Sequence, residues 1–133
     1  MENLSEEFWE GVEQFNTGQF YACHDTLEAL WIEALEPDKT FYQGILQIAV
    51  ALYHLGNKNV RGAAILLGEG SNRLRRYPST YAGIDVNQLL HQSKALLSLV
   101  QQLSPEQITS ENFLVDQNLP IPQIILSPVR DGE

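Results

Sequence analysis

One cysteine, Cys23, stands in the whole chain of 133 residues. No intrachain disulfide can form, and nothing asks for an oxidising compartment. Cations are scarce too: 8 Lys and Arg face 17 Asp and Glu, for a formal net charge of -9 and a pI near 4.7. Nucleic acid and anionic membrane surfaces are both bound through clustered cations, so the composition argues against both and favours cationic or neutral partners. No apolar run approaches the roughly 20 residues of a membrane span; Ile45 to Leu55 is too short. The amino terminus opens on acids where a secretory signal carries positive charge, which makes the cytoplasm the expected location. A Gly-rich phosphate loop, a nucleophile elbow, a Cys-x-x-Cys pair, a basic-aromatic stripe, internal repeats and low-complexity tracts are also missing. Most familiar enzyme classes lose support.

What remains is 44% hydrophobic residues, enough for one compact core and too short a chain for two. The expected organisation is one helical-bundle domain over residues 1–103, followed by a Pro-containing tail over 104–133. Charge is placed unevenly. Ten of the seventeen acids lie in residues 1–38, which hold no Lys or Arg, whereas Lys58, Arg61, Arg73, Arg75 and Arg76 share a later segment. Intramolecular complementarity between the two is the simplest expectation.

Five helices follow from periodicity and punctuation. Ser5 with Glu6 and Glu7 starts the first, Phe8, Val12 and Phe15 give its stripe, and Gly18 stops it. Phe20, Cys23, Leu27, Leu30 and Ala34 form the stripe of a second, ended by Glu36-Pro37. Asp38 is the expected cap of a third, apolar on nearly every face to Gly56 and therefore central. A fourth spans Asn57 to about Arg76, weakened by Gly62, Gly68 and Gly70, for which close approach of another helix is the expected compensation. After Tyr77-Pro78 and a turn over 79–83, Asp85 caps a fifth through about Leu103. Short connections favour antiparallel neighbours, so the fold class is all-α, a compact bundle of about five helices with an extended C-terminal tail. That tail carries Pro105, Pro120, Pro122 and Pro128 and a β-prone patch at Ile121 and Ile124 to Leu126. It is expected to pack on the domain or on a neighbouring subunit, with its last few residues mobile.

The second helix carries the chemistry. At about 100° per residue, His24 falls between Phe20, Leu27 and Trp31, in the sector expected to face the core, with Glu28 at its edge. On the third helix Gln43, Gln47 and His54 share one narrow sector at i, i+4 and i+11. An amide or imidazole left unpaired in a core costs about 1–3 kcal/mol, so antiparallel packing is expected to join these groups in one buried network. Two readings stay open. In one, the network fixes helix register and the chain is an interaction or oligomerisation module. In the other, His24, Glu28 and His54 hold a divalent metal, zinc or a similar ion, with Gln43 and Gln47 orienting the ligands and a position left for water, as metal-assisted hydrolysis requires. Metal-free acid/base use of Glu28 and His24, or binding of a small molecule without chemistry, completes the set.

Cys23 next to His24 reads as a small core residue, since i, i+1 neighbours point apart on a helix. Trp31 reads as core packing or the apolar wall of a pocket. Arg61 reads as a surface charge, or as an anion contact at a helix start. His91 has no assigned role.

His24-x-x-x-Glu28-x-x-Trp31 does not stand alone. It follows Phe15-Asn16-x-Gly18-x-Phe20-Tyr21 and precedes Phe41-Tyr42-Gln43-Gly44-Ile45-Leu46-Gln47, His54 and Asn59-Val60-Arg61-Gly62-Ala63. From residue 8 to about residue 77 this ordered set resembles domain-of-unknown-function family 309, small helical proteins of bacteria and archaea. The resemblance implies an all-helical fold and a metal-binding role for His24 and Glu28, and it implies no substrate.

Overall fold

The computed structural model describes residues 5–127. The acidic opening of the chain and the expected mobility of its last few residues fall in part outside that range. Five long helices carry the fold: α1 (Glu6–Asn16), α2 (Phe20–Glu33), α3 (Asp38–Gly56), α4 (Val60–Leu74) and α5 (Val86–Val100). Local chemistry explains their ends. The Ser5 side chain accepts the Phe8 N–H, Asn59 accepts that of Gly62, and Asp85 accepts that of Gln88, each satisfying an N–H that a helix start leaves free. Gly18, at φ 82, turns the chain from α1 into α2. Asp38 is not the cap of α3. It is the first helical residue, its carboxylate accepts the Tyr81 hydroxyl at 2.6 Å, and Glu36 instead takes the Thr40 N–H at 3.0 Å and hydroxyl at 2.6 Å.

Helices pack in chain order, α1 on α2, α2 on α3, α3 on α4 and α4 on α5. α3 therefore sits in the middle. It buries Phe41, Ile45, Ile48, Ala49, Leu52 and Leu55, yet a strip of Gln43, Leu46, Gln47, Val50, Tyr53 and His54 stays partly open to solvent. The closest crossing joins α3 to α4. A Cβ built on Gly70 would lie 2.8 Å from the Gly44 carbonyl oxygen and 2.8 Å from Ile48 Cγ1, so glycine is what lets these backbones meet.

Beyond α4, Thr80–Tyr81 (β1) and Ile84–Asp85 (β2) form a small antiparallel hairpin, and Pro105–Ile108 (α6) and Phe113–Asp116 (α7) are single helical turns. None of these four appears in the periodic reading, because elements this short hold no repeat. The segment after α7 lies along the bundle. Asn16 receives the Ile124 N–H at 2.7 Å and donates to its carbonyl at 2.9 Å, and Gln92 does the same for Gln123 at 3.0 and 3.0 Å. Asp85 N–H donates to the Ile125 carbonyl, and Ile84 pairs with Leu126 as an isolated bridge.

The expected pairing of the acidic and basic segments does not occur as ion pairs. Among the described residues the single contact with ion-pair geometry is His24 with Asp25, and no Lys or Arg lies within 4.0 Å of a carboxylate oxygen. Arg61 and Arg73 of α4 stand beyond α3 from the acids of α1 and α2, whereas the Glu36 carboxyl is held below its usual range by its bonds from Thr40 and, less, by the charges of Lys39 and Arg76. None of the described helices is long and apolar enough to cross a membrane.

Candidate functional site

Cys23 and Leu27 are the fully buried residues of α2. Their mean direction lies about 80° from His24 and about 120° from Glu28 at 100° per residue. The two site residues therefore flank the core rather than enter it, and both are half-buried. This corrects the expected buried network. Cys23 holds the core position instead. Its burial pushes the thiol up to about 12, so at neutral pH it is a protonated, inert hydrophobe rather than a nucleophile.

One turn of α2 gathers the chemistry. Ligand atoms of His24, Asp25 and Glu28 all lie within 4.8 Å of one another, the one such group of three among the described residues. His24 Nδ1 and Asp25 Oδ1 are 3.2 Å apart, with side-chain exposures of 29% and 64%. Asp25 is the residue that the spacing argument missed. Neighbours at i, i+1 diverge at Cα, but a His and an Asp at the helix rim are long enough to converge. The adjacency itself was the available signal.

The α3 residues do not join this group. Tyr21 and Tyr53 meet edge to face with ring centroids 5.4 Å apart. In an antiparallel pair, three residues forward from Tyr21 to His24 correspond to three back from Tyr53, at Val50. His54 is four residues from that level, about 6 Å along the axis, and it stands outside the ligand group. Gln47 faces the other neighbour: its amide donates to Glu69 Oε1 at 3.1 Å and its carbonyl accepts from Arg73 Nη1 at 3.2 Å. Gln43 is half-buried one turn before it, and Arg61 is exposed on α4. Trp31 packs partly against the core, with Lys39 Nζ 5.1 Å from its ring centroid and bonded to its carbonyl at 2.7 Å. An open apolar groove of about 450 Å³ lies one turn from His24, lined by Phe20, Tyr21, Leu52, Tyr53, Leu114 and Ile121 among others.

Residues 8–66, which hold most of α1, all of α2 and α3 and the start of α4, with every group just described except Glu69, Arg73 and the groove's Leu114 and Ile121, match the model of a family described as a domain of unknown function, DUF309. These residues are similar to DUF309. Over 111 residues the chain is 32% identical to the uncharacterized protein YpuF of Bacillus subtilis (strain 168), a match covering 83% of this chain and 60% of that protein. Over 76 residues it is 28% identical to an uncharacterized protein of Aquifex aeolicus (strain VF5), covering 56% of this chain and 23% of that one. The chain thus spans about three fifths of one relative and under a quarter of the other. Within residues 8–66, His24, Asp25 and Glu28 are the group of three side chains close enough to share an ion, and their helix packs on α3 with Trp31 against Lys39.

Proposed function

We propose that this chain is a divalent-cation-binding protein in which His24, Asp25 and Glu28 hold the ion, and that its chemistry is metal-assisted hydrolysis. The observation that supports this is the convergence of one imidazole and two carboxylates within 4.8 Å on a single helical turn. Nitrogen and oxygen donors in that ratio suit zinc and related first-row divalent ions. A tetrahedral ion would need its donors about 3.3 Å apart, so these rim side chains would draw in from within 4.8 Å to hold one. Three protein ligands leave a position for water, and a bound divalent cation supplies Lewis acidity that brings such a water toward neutral pKa. Tyr21, whose ring centroid is 6.0 Å from that of His24, connects the turn to the apolar groove, where a substrate's apolar part has room. His54 has no ligand role in this reading.

Calorimetric titration of chelator-stripped protein with zinc tests the reading. A single site lost in His24→Ala and in Glu28→Gln is the expected result. Equal heats in parent and both variants would overturn it. A non-enzymatic oligomerisation module is the second reading, supported by Ile32 and Leu35, which are 63% and 83% exposed at the end of α2. It predicts a concentration-dependent mass by light scattering that Leu35→Glu abolishes, with no zinc requirement.

A further inference from the structure

A small notch of about 130 Å³ between α4 and α5 lies past the DUF309 segment and is lined by Gly68, Ser71, Asn72, Arg75, Lys94 and Leu97. It is made by the sequence in a simple way. Gly68, Ser71, Asn72 and Arg75 fall at i, i+3, i+4 and i+7 and so share one face of α4, and Lys94 and Leu97 share one face of α5. Gly68 keeps the notch open, since a Cβ there would meet only Leu97 Cδ2, at 4.0 Å.

Its chemistry is that of donors. Two of the chain's few cations converge here, no acid lines the notch, and neither cation lies within 4.0 Å of a carboxylate of the described residues. In a chain with 17 acids and 8 Lys and Arg, such a pocket runs against the overall field. Arg75 Nη2 donates to Asn72 Oδ1 at 2.6 Å, which fixes the guanidinium and occupies the one side-chain oxygen that could repel an anion. The remaining guanidinium N–H groups, the Lys94 ammonium and the Asn72 amide N–H groups are left to donate. Ser71, only 4% exposed, lines the same notch, and its buried hydroxyl has no hydrogen-bond partner, so turning toward a bound acceptor costs it no existing bond.

We infer that this notch binds a tetrahedral oxyanion, as free phosphate or as the phosphate group of a monoester. Its size excludes a larger rigid anion from full entry, and charge-assisted N–H···O bonds from a fixed guanidinium are what phosphate recognition uses. The free carbonyls at the end of α4 oppose an anion there, so binding depends on both cations together. The site is independent of the cation reading at His24.

The test is an amide NMR titration of the full chain in metal-free buffer with inorganic phosphate and, separately, methyl phosphate, at ionic strength held constant with chloride. Saturable shifts centred on residues 68–75 and 94–97 are expected. Arg75→Gln with Lys94→Gln is expected to raise the apparent Kd at least tenfold, and Arg61→Gln, an exposed cation of the same helix, to change it less than about twofold. A response to both ligands supports an oxyanion site that takes esters, and a response to inorganic phosphate alone supports a site for the free anion. Shifts that do not saturate, or an unchanged Kd in the double variant, would overturn the inference.

Discussion

Gly70→Ala and Gly68→Ala, two residues apart on one helix, are expected to move stability in opposite directions. The first places a methyl 2.8 Å from the Gly44 carbonyl oxygen, 2.8 Å from Ile48 Cγ1 and 3.2 Å from the Ile48 nitrogen. Two of those three atoms are backbone, so relief requires α3 and α4 to separate by about half an ångström over a buried crossing. Overpacking of this kind costs about 1–3 kcal/mol, and a backbone obstacle places it at the upper end; the better helix propensity of Ala returns about 1 kcal/mol. The net loss is about 2 kcal/mol, a fall in Tm of about 6–12 °C for a chain of this size. Gly68→Ala meets nothing nearer than 4.0 Å and keeps the propensity gain of up to about 1 kcal/mol. Chemical denaturation with an unchanged m-value, and calorimetric Tm, measure both. If Gly70→Ala melts within 0.5 kcal/mol of the parent by the linear extrapolation treatment, the close crossing is not where the packing argument puts it.

Asn16→Ala removes the two bonds that hold Ile124 N–H and C=O; a loss of about 1–3 kcal/mol is expected, with faster amide exchange at residues 124–127 while α3 stays protected. His24→Ala in metal-free buffer is expected to cost under about 1 kcal/mol, because the side chain is at the rim and its partner is exposed; a loss above 3 kcal/mol would restore the buried network. Cys23 is expected to resist a disulfide reagent until global unfolding. Its folded pKa is raised to about 12, so above about pH 9 the unfolded thiol releases a proton that the folded one keeps, and stability falls as pH rises. Between about pH 9 and 10 the parent should lose about 1 kcal/mol more than Cys23→Ala, the tyrosine contribution being common to both. An equal slope in both would remove the thiol from the alkaline transition.

Helix existence was legible because Phe8, Val12 and Phe15, or Val86, Leu89 and Leu96, repeat at helical spacing, and because Ser5 and Asp85 carry their own caps. The hairpin at Thr80 to Asp85 was not, since what holds it is remote: Ile84 pairs with Leu126, and Asp85 N–H finds the Ile125 carbonyl. The same division runs through the site. The i, i+4 relation of His24 and Glu28 is a property of one helix and survives folding. Which groups face them is a property of three helices in register, and there the Tyr21 and Tyr53 contact sets His54 a turn too far along while Glu69 and Arg73 claim Gln47. The partner of Gln47 was accessible in principle: α3 and α4 fold back about the short connection at residues 57–59, which pairs positions summing to about 116 and so brings Gln47 to Glu69. The depth of His24 was not, because periodicity alone ranks Phe20, Cys23 and Trp31 equally as centres of the apolar face.

Paramagnetic broadening by substoichiometric manganese in the amide NMR spectrum tests whether one turn of α2 holds a divalent cation, since manganese reports every carboxylate that binds it. Loss of signal centred on residues 24–28, reaching Tyr21 and Val50, and abolished by His24→Ala with Glu28→Gln, is the expected result. Broadening spread over the exposed acids Glu6, Glu10 and Glu13 of α1, with the α2 turn untouched, would contradict it.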